Sequence, residues 1–178
     1  EKILWNLDMK FTKLDMTEWD KLLKNIDSSF DMLTIAMVGK YVGLEDAYYS
    51  LNEWLKCAWF AQNKRVKIRF IEAEDIEKNG TSILVWYHGI CIPGGFGTRG
   101  TEGMIMTAEY ARKNKIPYLG VCLGSQIMAI EFARNVLGIA DASSEEFTPD
   151  GQNNIIHIME HQKDLTTKWG NMRLGMYE

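Results

Sequence analysis

The chain has 178 residues, a formal net charge of -4 and three cysteines. This mildly acidic charge disfavours a large nucleic-acid surface, and no apolar run reaches the roughly 20 residues that a membrane-spanning helix needs. The cysteines, at positions 57, 91 and 122, are odd in number and widely spaced, which disfavours a secreted disulfide framework and favours a reducing compartment. We therefore expect one soluble, cytoplasmic globular domain whose partners include neither a membrane nor a nucleic acid.

The first 30 residues are polar and rich in lysine and aspartate. Their apolar residues, such as Trp5, Trp19 and Leu22, have the spacing of one or two helices. We interpret residues 1–30 as a lead-in or interdomain connector, and residues 31–178 as one domain. The first residue is Glu rather than Met, so we expect the sequence to be a piece of a longer chain.

From residue 34 onward, short apolar runs alternate with stretches that carry apolar residues at helical spacing. The patterns predict strands at 34–38, 66–71, 88–92 and 116–121, and helices at 45–63, 101–114 and 125–137, and one more apolar run covers 155–159. Basic residues alternate with apolar ones in the second strand, which favours a position nearer a sheet edge. Strands that alternate with crossover helices indicate an α/β fold with a mostly parallel open sheet flanked by helices. Ligands of such sheets bind at the carboxyl ends of the strands.

The segment Gly120-Val121-Cys122-Leu123-Gly124 places a cysteine between two glycines where a predicted strand turns into a predicted helix. This arrangement is typical of a nucleophile elbow, whose crowded and strained backbone leaves room only for small residues on either side of the nucleophile. The positive end of the following helix favours a negatively charged sulfur. We therefore predict that Cys122 is a nucleophile, although an unselected cysteine is more often a small buried core residue. Cys57, in a predicted helix, and Cys91, in a predicted strand, are expected to be core residues.

A second glycine-rich turn, Pro93-Gly94-Gly95-Phe96-Gly97, follows the strand predicted at 88–92. By itself such a turn is most often only a turn, and it lacks the lysine and hydroxyl residue that end a phosphate-binding loop. Acyl transfer at a thiol, however, needs N–H donors for the developing oxyanion, and the end of a neighbouring strand supplies one of them in related sites. We predict that the N–H groups of Gly95 and Leu123 are these donors.

Together, the two glycine-rich segments resemble the class I glutamine amidotransferase family, whose cysteine releases ammonia from glutamine. Further motifs, between about Thr34 and Gly175, resemble the amidotransferase domain of the CTP synthase family. These motifs are Val38-Gly39-Lys40-Tyr41, Asp46-Ala47-Tyr48, Arg99-Gly100-Thr101-Glu102-Gly103, residues 131–138, Glu146-Phe147 and Met172-Arg173-Leu174-Gly175. The resemblance implies a flavodoxin-like sheet of the class I amidotransferase type with a nucleophile elbow.

The resemblance also implies a role for each matched residue. Cys122 would attack the side-chain amide of glutamine to form a thioester, and the oxyanion would be held as predicted above. The residues that bind L-glutamine would be Gly95, Leu123, Gly124, Ser125, Gln126 and Glu146. Arg99 and Glu102 would belong to a lid linked to the effector GTP, although a solvated charge pair on a loop is an equally good interpretation.

The same resemblance implies the surroundings of this domain. In the family, the ammonia passes to a separate synthetase domain of the same protein, which aminates UTP to CTP in pyrimidine nucleotide biosynthesis. The whole enzyme is a ligase that uses ATP and Mg2+ and responds to GTP, whereas the glutaminase half needs no cofactor. The family forms tetramers, so a homo-oligomer is expected for the full-length enzyme.

The sequence departs from the family's pattern at the catalytic base. The family places a His and a Glu after the Met-Arg-Leu-Gly motif, whereas this sequence ends three residues after Gly175. None of the histidines, His88, His157 and His161, stands in the family's position. We therefore expect the domain to be truncated at its C-terminal end and residues 1–178 alone to be inactive. His157 and His161 are four residues apart but lack a third ligand, so no metal site is expected.

Two smaller departures concern substrate affinity. Ser125 stands where the family usually has Met, and Trp169-Gly170-Asn171 stands where it usually has Gly-Gly-Thr. Both change the size of a side chain without removing a chemical role, so they bear on affinity more than on the type of reaction.

Two alternatives to the glutaminase remain open on the sequence. A catalytically inactive amidotransferase-like module that binds or regulates partner chains fits both the motifs and the absent dyad. A cysteine hydrolase that acts on another amide also fits the elbow, but it leaves the motifs at 131–138 and 172–175 unexplained.

Overall fold

The structure is a computed structural model that describes residues 2–10, 15–28, 31–44 and 46–159. The chain forms two compact units. The first comprises Glu1–Leu33 and Ser50–Lys67, and the second comprises Thr34–Tyr49 and Ile68–Glu178.

The first unit is mainly helical. It contains α1 (Lys2–Asn6), α2 (Thr17–Ser28) and most of α3 (Tyr49–Ala61). The two N-terminal helices confirm the helices predicted from the spacing in residues 1–30. A backbone hydrogen bond from the Arg65 N–H to the Asp31 carbonyl (2.9 Å) and an ion pair between Lys64 and Asp31 (2.5 Å) join the two sequence segments of this unit.

The side chains of α3 are more exposed than the sequence predicts. Leu55 is its one buried residue, whereas Trp54 is 57% exposed and Cys57 is also exposed. The prediction that Cys57 is a core residue was wrong. Helical spacing identifies which residues share a face, but it does not establish that another element covers that face.

The second unit contains most of a four-stranded sheet. The strands are β1 (Met32–Gly39), β2 (Arg65–Glu72), β3 (Gly89–Ile92) and β4 (Tyr118–Gly120), in the order β2-β1-β3-β4. Strand β3 pairs in parallel with both β1 and β4. The order agrees with the start of the flavodoxin-like order 2-1-3-4-5, and β2 lies at the edge, as its alternating pattern predicted.

Helices α4 (Ala73–Asn79), α5 (Thr101–Asn114) and α6 (Leu123–Asn135) complete the alternation, with a 3-10 turn at Thr81–Leu84. Helix α5 matches the predicted bounds, and α6 begins two residues earlier than predicted because the elbow passes directly into the helix. The patterns did not predict α4, the 3-10 turn or the two-residue strand β5 (Ser143–Ser144). Strand β5 pairs in parallel with β6 (Asn154–Ile156), which overlaps the start of the apolar run at 155–159.

The core of the second unit lies between the sheet and these helices. All four residues of β3 are buried, as expected for a strand with both neighbours and both faces covered. Helices α5 and α6 contribute apolar side chains at helical spacing. The buried members from β1, β3, α5 and α6 include Ala36, Val38, Ile90, Ile92, Met104, Ala108, Leu123, Ile127 and Ile130.

A buried carboxylate joins α5 to α6. Glu131 is 2% exposed, and the Arg112 guanidinium donates to both of its oxygens at 2.7 to 3.0 Å. Asn135 donates to the same carboxylate at 3.2 Å. A buried charge is tolerated only when it is paired and hydrogen-bonded, so this contact fixes the relative position of the two helices.

No helix in the part of the chain that the structure describes is long and apolar enough to cross a lipid bilayer.

Core packing of α6 generates a first prediction. Ile127 is 0% exposed, whereas the adjacent Met128 is 50% exposed. Ile127→Ala should lower the free energy of unfolding by about 2–5 kcal/mol, because it leaves a cavity in the core. Met128→Ala should lower it by less than about 1 kcal/mol. Urea denaturation followed by circular dichroism measures both, and equal losses for the two variants would contradict this packing.

Candidate functional site

Cys122 lies at the junction of β4 and α6 in a strained backbone conformation. Its φ is 53° and its ψ is -107°, and it immediately precedes the first residue of α6. A positive φ is unfavourable for a residue with a side chain, and such strain clusters at functional sites. The side chain is exposed, so the geometry is that of a nucleophile elbow, as the sequence predicted.

The glycines on either side of Cys122 are required by close backbone contacts. A Cβ on Gly124 would lie 2.1 Å from the carbonyl oxygen of Ile92 in β3, and a Cβ on Gly120 would lie 2.5 Å from the backbone of Gly124. Neither contact leaves room for a methyl group. The packing of α6 on the end of β3 therefore explains Gly124, and the sharp turn from β4 into α6 explains Gly120.

Cys91 contrasts with Cys122 and confirms its predicted core role. It is buried in the middle of β3, and burial raises the pKa of its thiol to about 12. A thiol with so high a pKa is not a nucleophile near neutral pH.

The second glycine-rich turn lies directly against the elbow. A Cβ on Gly94 would be 3.5 Å from the Cβ of Cys122 and 3.9 Å from its sulfur. A Cβ on Gly95 would be 3.3 Å from the Leu123 side chain. As the first residue of α6, Leu123 has an N–H group without an intrahelical acceptor. The structure thus brings Gly95, Leu123 and Cys122 together at the carboxyl ends of β3 and β4.

Two further predicted residues occupy the first turn of α6. The Ser125 hydroxyl donates to the Cys122 carbonyl at 2.7 Å, and the Gln126 N–H donates to the same carbonyl at 3.3 Å. Tyr118, which the sequence did not single out, donates its hydroxyl to the Gly124 carbonyl at 2.7 Å. Burial raises the pKa of the Tyr118 phenol well above its ordinary value, so it stays protonated and remains a donor. These bonds hold the backbone of the elbow.

Glu146 reaches the glycine-rich turn from a distant part of the chain. Its Oε1 accepts a hydrogen bond from the Gly97 N–H at 3.0 Å. Its own N–H donates to the hydroxyl of Ser144, in β5, at 3.2 Å. The carboxylate therefore lies two residues beyond Gly95 along the turn. The role of Glu146 and Gly95 in binding a substrate stays a prediction.

Lys40 is a residue of the site that the sequence analysis did not assign. It follows β1, is 2% exposed, and donates through Nζ to the carbonyls of Phe96 (3.2 Å) and Gly97. The signal that pointed to it was its place in the Val38-Gly39-Lys40-Tyr41 motif at the end of a buried strand. Pattern alone, however, does not distinguish a buried lysine from the exposed lysine that is far more common.

The two residues of the predicted lid are each paired with other groups. The Arg99 guanidinium donates to Glu74 at 2.6 Å and to the Lys40 carbonyl, and the bond to Glu74 raises the pKa of Arg99. Glu102 lies in the first turn of α5 and accepts from Arg134 at 2.9 Å. The effector role of Arg99 and Glu102 stays a prediction.

The described histidines have contacts of their own. The Nδ1 of His88 accepts from the Thr34 N–H at 3.0 Å, at the amino end of β3 and thus opposite the end that carries the elbow. His157 is 3.7 Å from Glu145, whereas His161 and the segments at 169–171 and 172–175 lie outside the described residues. Among the residues that the structure describes, no three His, Cys, Asp or Glu side chains could hold a metal ion.

The contact between Gly124 and Ile92 generates a second prediction. Gly124→Ala should lower the free energy of unfolding by about 1–3 kcal/mol, because the added methyl group forces α6 away from β3. Gly43→Ala is the matched control, since a Cβ at Gly43 would meet nothing within 4 Å, and we expect a change of less than about 0.5 kcal/mol. Thermal unfolding measures both variants, and a tolerated Gly124→Ala would contradict the geometry of the elbow.

Comparison with known proteins gives relatives along nearly the whole chain. The chain is 48% identical over 176 residues to the CTP synthase of Latilactobacillus sakei, with 98% of this chain and 33% of the relative covered. It is 49% identical over 163 residues to the CTP synthase of Pyrococcus abyssi, with 92% of this chain and 30% of the relative covered. The chain therefore spans about a third of the length of these curated relatives.

A solved structure resembles the fold. It is described as the glutaminase domain of Trypanosoma brucei CTPS with bound acivicin, and it matches with a TM-score of 0.68 and 37% sequence identity. The match covers 74% of this chain and 52% of the other. The sequence model of the family described as "Glutamine amidotransferase class-I" matches residues 44–177. The elbow, the adjoining glycine-rich turn and this match together lead to one conclusion: the chain belongs to the class I glutamine amidotransferase family.

Proposed function

We propose that this chain hydrolyses the side-chain amide of L-glutamine through a thioester on Cys122. We further propose that the natural protein carrying it is a CTP synthase, which uses the released ammonia to aminate UTP. One observation carries the first proposal, namely that the backbone of Gly94 and Gly95 lies so near the elbow that an added Cβ would be 3.5 Å from the Cβ of Cys122 and 3.3 Å from the Leu123 side chain, respectively. This proximity supports the proposal that Cys122 acts as the nucleophile and that the Gly95 and Leu123 N–H groups bind the oxyanion of the same carbonyl group.

The reaction follows the order of bonds made and broken. The Cys122 thiolate attacks the amide carbon, and the negative charge that develops on the carbonyl oxygen is held by the Gly95 and Leu123 N–H groups. Collapse of this intermediate breaks the C–N bond, and the nitrogen leaves as ammonia after it gains a proton. Water then attacks the thioester, which releases glutamate and regenerates the thiol.

The amino-acid part of the substrate would be held by polar groups around the elbow. The Glu146 carboxylate suits the α-ammonium group of glutamine, and it already contacts the turn that carries Gly95, through Gly97. Gln126 in the first turn of α6 suits the polar end of the substrate. Ser125 makes the neighbouring surface smaller and more polar than Met would, so it tunes affinity more than it affects the reaction.

A general base must remove the proton of the Cys122 thiol. His88 is already used as an acceptor for the Thr34 N–H at the opposite end of β3, so we do not assign it this role. We propose that the His and Glu of the family's pattern perform it in the natural protein, as the resemblance implies.

The relatives support the wider proposal. Both curated relatives described above are CTP synthases, and the solved neighbour is a CTPS glutaminase domain. In the natural protein, ATP and Mg2+ would act at a synthetase domain, GTP would act as an effector near Arg99 and Glu102, and the assembly would be a cytoplasmic homo-oligomer, as the resemblance implies. The thiol chemistry itself needs no cofactor, because the thiolate and the N–H donors perform it.

Substitution of the nucleophile in the natural protein is our third prediction. Cys122→Ala should abolish CTP formation from glutamine, because no thioester forms, and should leave CTP formation from ammonia within about twofold. Cys57→Ala is the matched control, since Cys57 is also an exposed free cysteine but lies outside the site. Both nitrogen sources should work normally in this control.

The two assays distinguish the parts of the proposal. If Cys122→Ala still used glutamine, Cys122 would not be the nucleophile. If the unsubstituted protein made CTP from neither nitrogen source but released ammonia from glutamine, the glutaminase would stand and the CTP synthase assignment would fall. If it released no ammonia from glutamine, the inactive binding module would replace the glutaminase.

A further inference from the structure

Lys40 is a buried cation whose ammonium group donates to two carbonyls of the glycine-rich turn beside the nucleophile. It follows β1, the strand adjacent to β3 in the sheet, and it is 2% exposed. Burying a lysine is unfavourable unless its charge is compensated. The groups that contact Lys40 must therefore compensate its charge.

The Lys40 ammonium and the Glu146 carboxylate hold one peptide group from its two ends. The carbonyl of Phe96 accepts from Lys40 Nζ at 3.2 Å, and the N–H of Gly97, in the same peptide group, donates to Glu146 Oε1 at 3.0 Å. Lys40 Nζ also donates to the Gly97 carbonyl. Hydrogen bonds at both ends of a peptide group fix its orientation, and charged partners make such bonds stronger than neutral ones.

The alkyl part of Lys40 lies against the predicted oxyanion donor. A Cβ on Gly95 would be 3.6 Å from Lys40 Cδ and 3.3 Å from Leu123 Cδ2. The Gly95 backbone therefore lies near both the lysine stem and the side chain of the first residue of α6. Loss of the stem would remove one of the packing contacts around this backbone, which adjoins Leu123, the residue that carries the other proposed donor.

The backbone of Lys40 is itself fixed. The Tyr48 hydroxyl accepts from the N–H groups of Lys40 and Tyr41, both at 3.1 Å. A Cβ on Gly39 would lie 2.6 Å from that hydroxyl, so the tyrosine fits only against glycine. The Lys40 carbonyl accepts from the Arg99 guanidinium. Hydrogen bonds to its main chain thus fix the position of Lys40, and its side chain binds the turn at 94–97.

We propose that Lys40 is a positioning residue for glutamine hydrolysis, which holds the turn at 94–97 so that the Gly95 N–H points at the oxyanion and Glu146 stays in place for the substrate. This inference rests on the proposed glutaminase function. Lys40 touches neither the reacting atoms nor, by this assignment, the substrate, and it acts through the turn.

The charge of Lys40 changes within an accessible pH range. Burial lowers the pKa of Lys40 to about 8, and the charge of Glu146 partly opposes this decrease. Arg99 in the loop before α5 lowers the pKa further, and Glu77 on α4 raises it. The Tyr48 hydroxyl, which accepts from the Lys40 main-chain N–H, has a pKa that burial raises, so it stays neutral. Above pH 8 the amine is neutral, and its attraction to Glu146 and to the two carbonyls weakens.

The fourth prediction uses this titration in the natural protein. At pH 7, Lys40→Met should lower kcat/KM for glutamine hydrolysis roughly 10²-fold, because small displacements of a catalytic group have effects of this size. The ratio of kcat/KM between the unsubstituted protein and Lys40→Met should fall as the pH rises through about 8. The ratio cancels ionisations that both proteins share, such as that of the substrate. Lys78→Met, at an exposed lysine in the last turn of α4, is the control and should keep a ratio near one throughout.

A second variant covers the case in which Lys40→Met fails to fold. Lys40→Arg keeps a positive charge at every pH tested, so the ratio of the unsubstituted protein to this variant should also fall above pH 8. A ratio that is constant from pH 7 to 9.5 for the variants that fold would overturn the positioning role, and so would a Lys40→Met protein with normal kinetics at pH 7. In both cases the unsubstituted protein hydrolyses glutamine and the proposed function stands. Absence of hydrolysis by the unsubstituted protein would overturn the function and this inference together.

Discussion

The carbonyl group of Ile92, at the end of β3, is the contact on which the site depends. It accepts the Val121 N–H at 3.0 Å, and a Cβ on Gly124 would lie 2.1 Å from its oxygen. The start of α6 therefore lies against the end of β3 with no side chain between the two backbones. Because the chain continues from Ile92 directly into the glycine-rich turn, this single contact sets the nucleophile and the turn side by side.

The site combines several locally unfavourable features. Cys122 has a positive φ, Lys40 carries a charge in a buried position, and two glycines replace residues that would lose less entropy on folding. Each is compensated by a specific contact. Tyr118 and Ser125 bond the backbone of the elbow, and the Phe96 and Gly97 carbonyls compensate the charge of Lys40. Strain and buried charge persist at functional sites when the surroundings hold them in place in this way.

Sequence patterns predicted long elements well and short or uncovered ones poorly. Helix α5 has its predicted bounds, since Gly100 with a positive φ precedes it and the left-handed Lys115 follows it. Helix α4 has only seven residues, which is too short for a periodic pattern to stand out from its neighbours. The exposure of Cys57 could not be read from its helical position, because burial depends on what packs against a face.

The sequence by itself determined the local chemistry of this protein. A cysteine flanked by glycines at a strand-to-helix junction has few structural solutions, since only glycine fits the tight backbone and the helix end follows at once. The tertiary structure decided which distant residues meet there. Glu146 and Lys40 reach the same peptide group only because β1 and β3 are adjacent in the sheet and the chain after α6 returns to the turn at 94–97. Contacts between residues far apart in sequence depend on strand order and layer packing, and neither is encoded in any short segment.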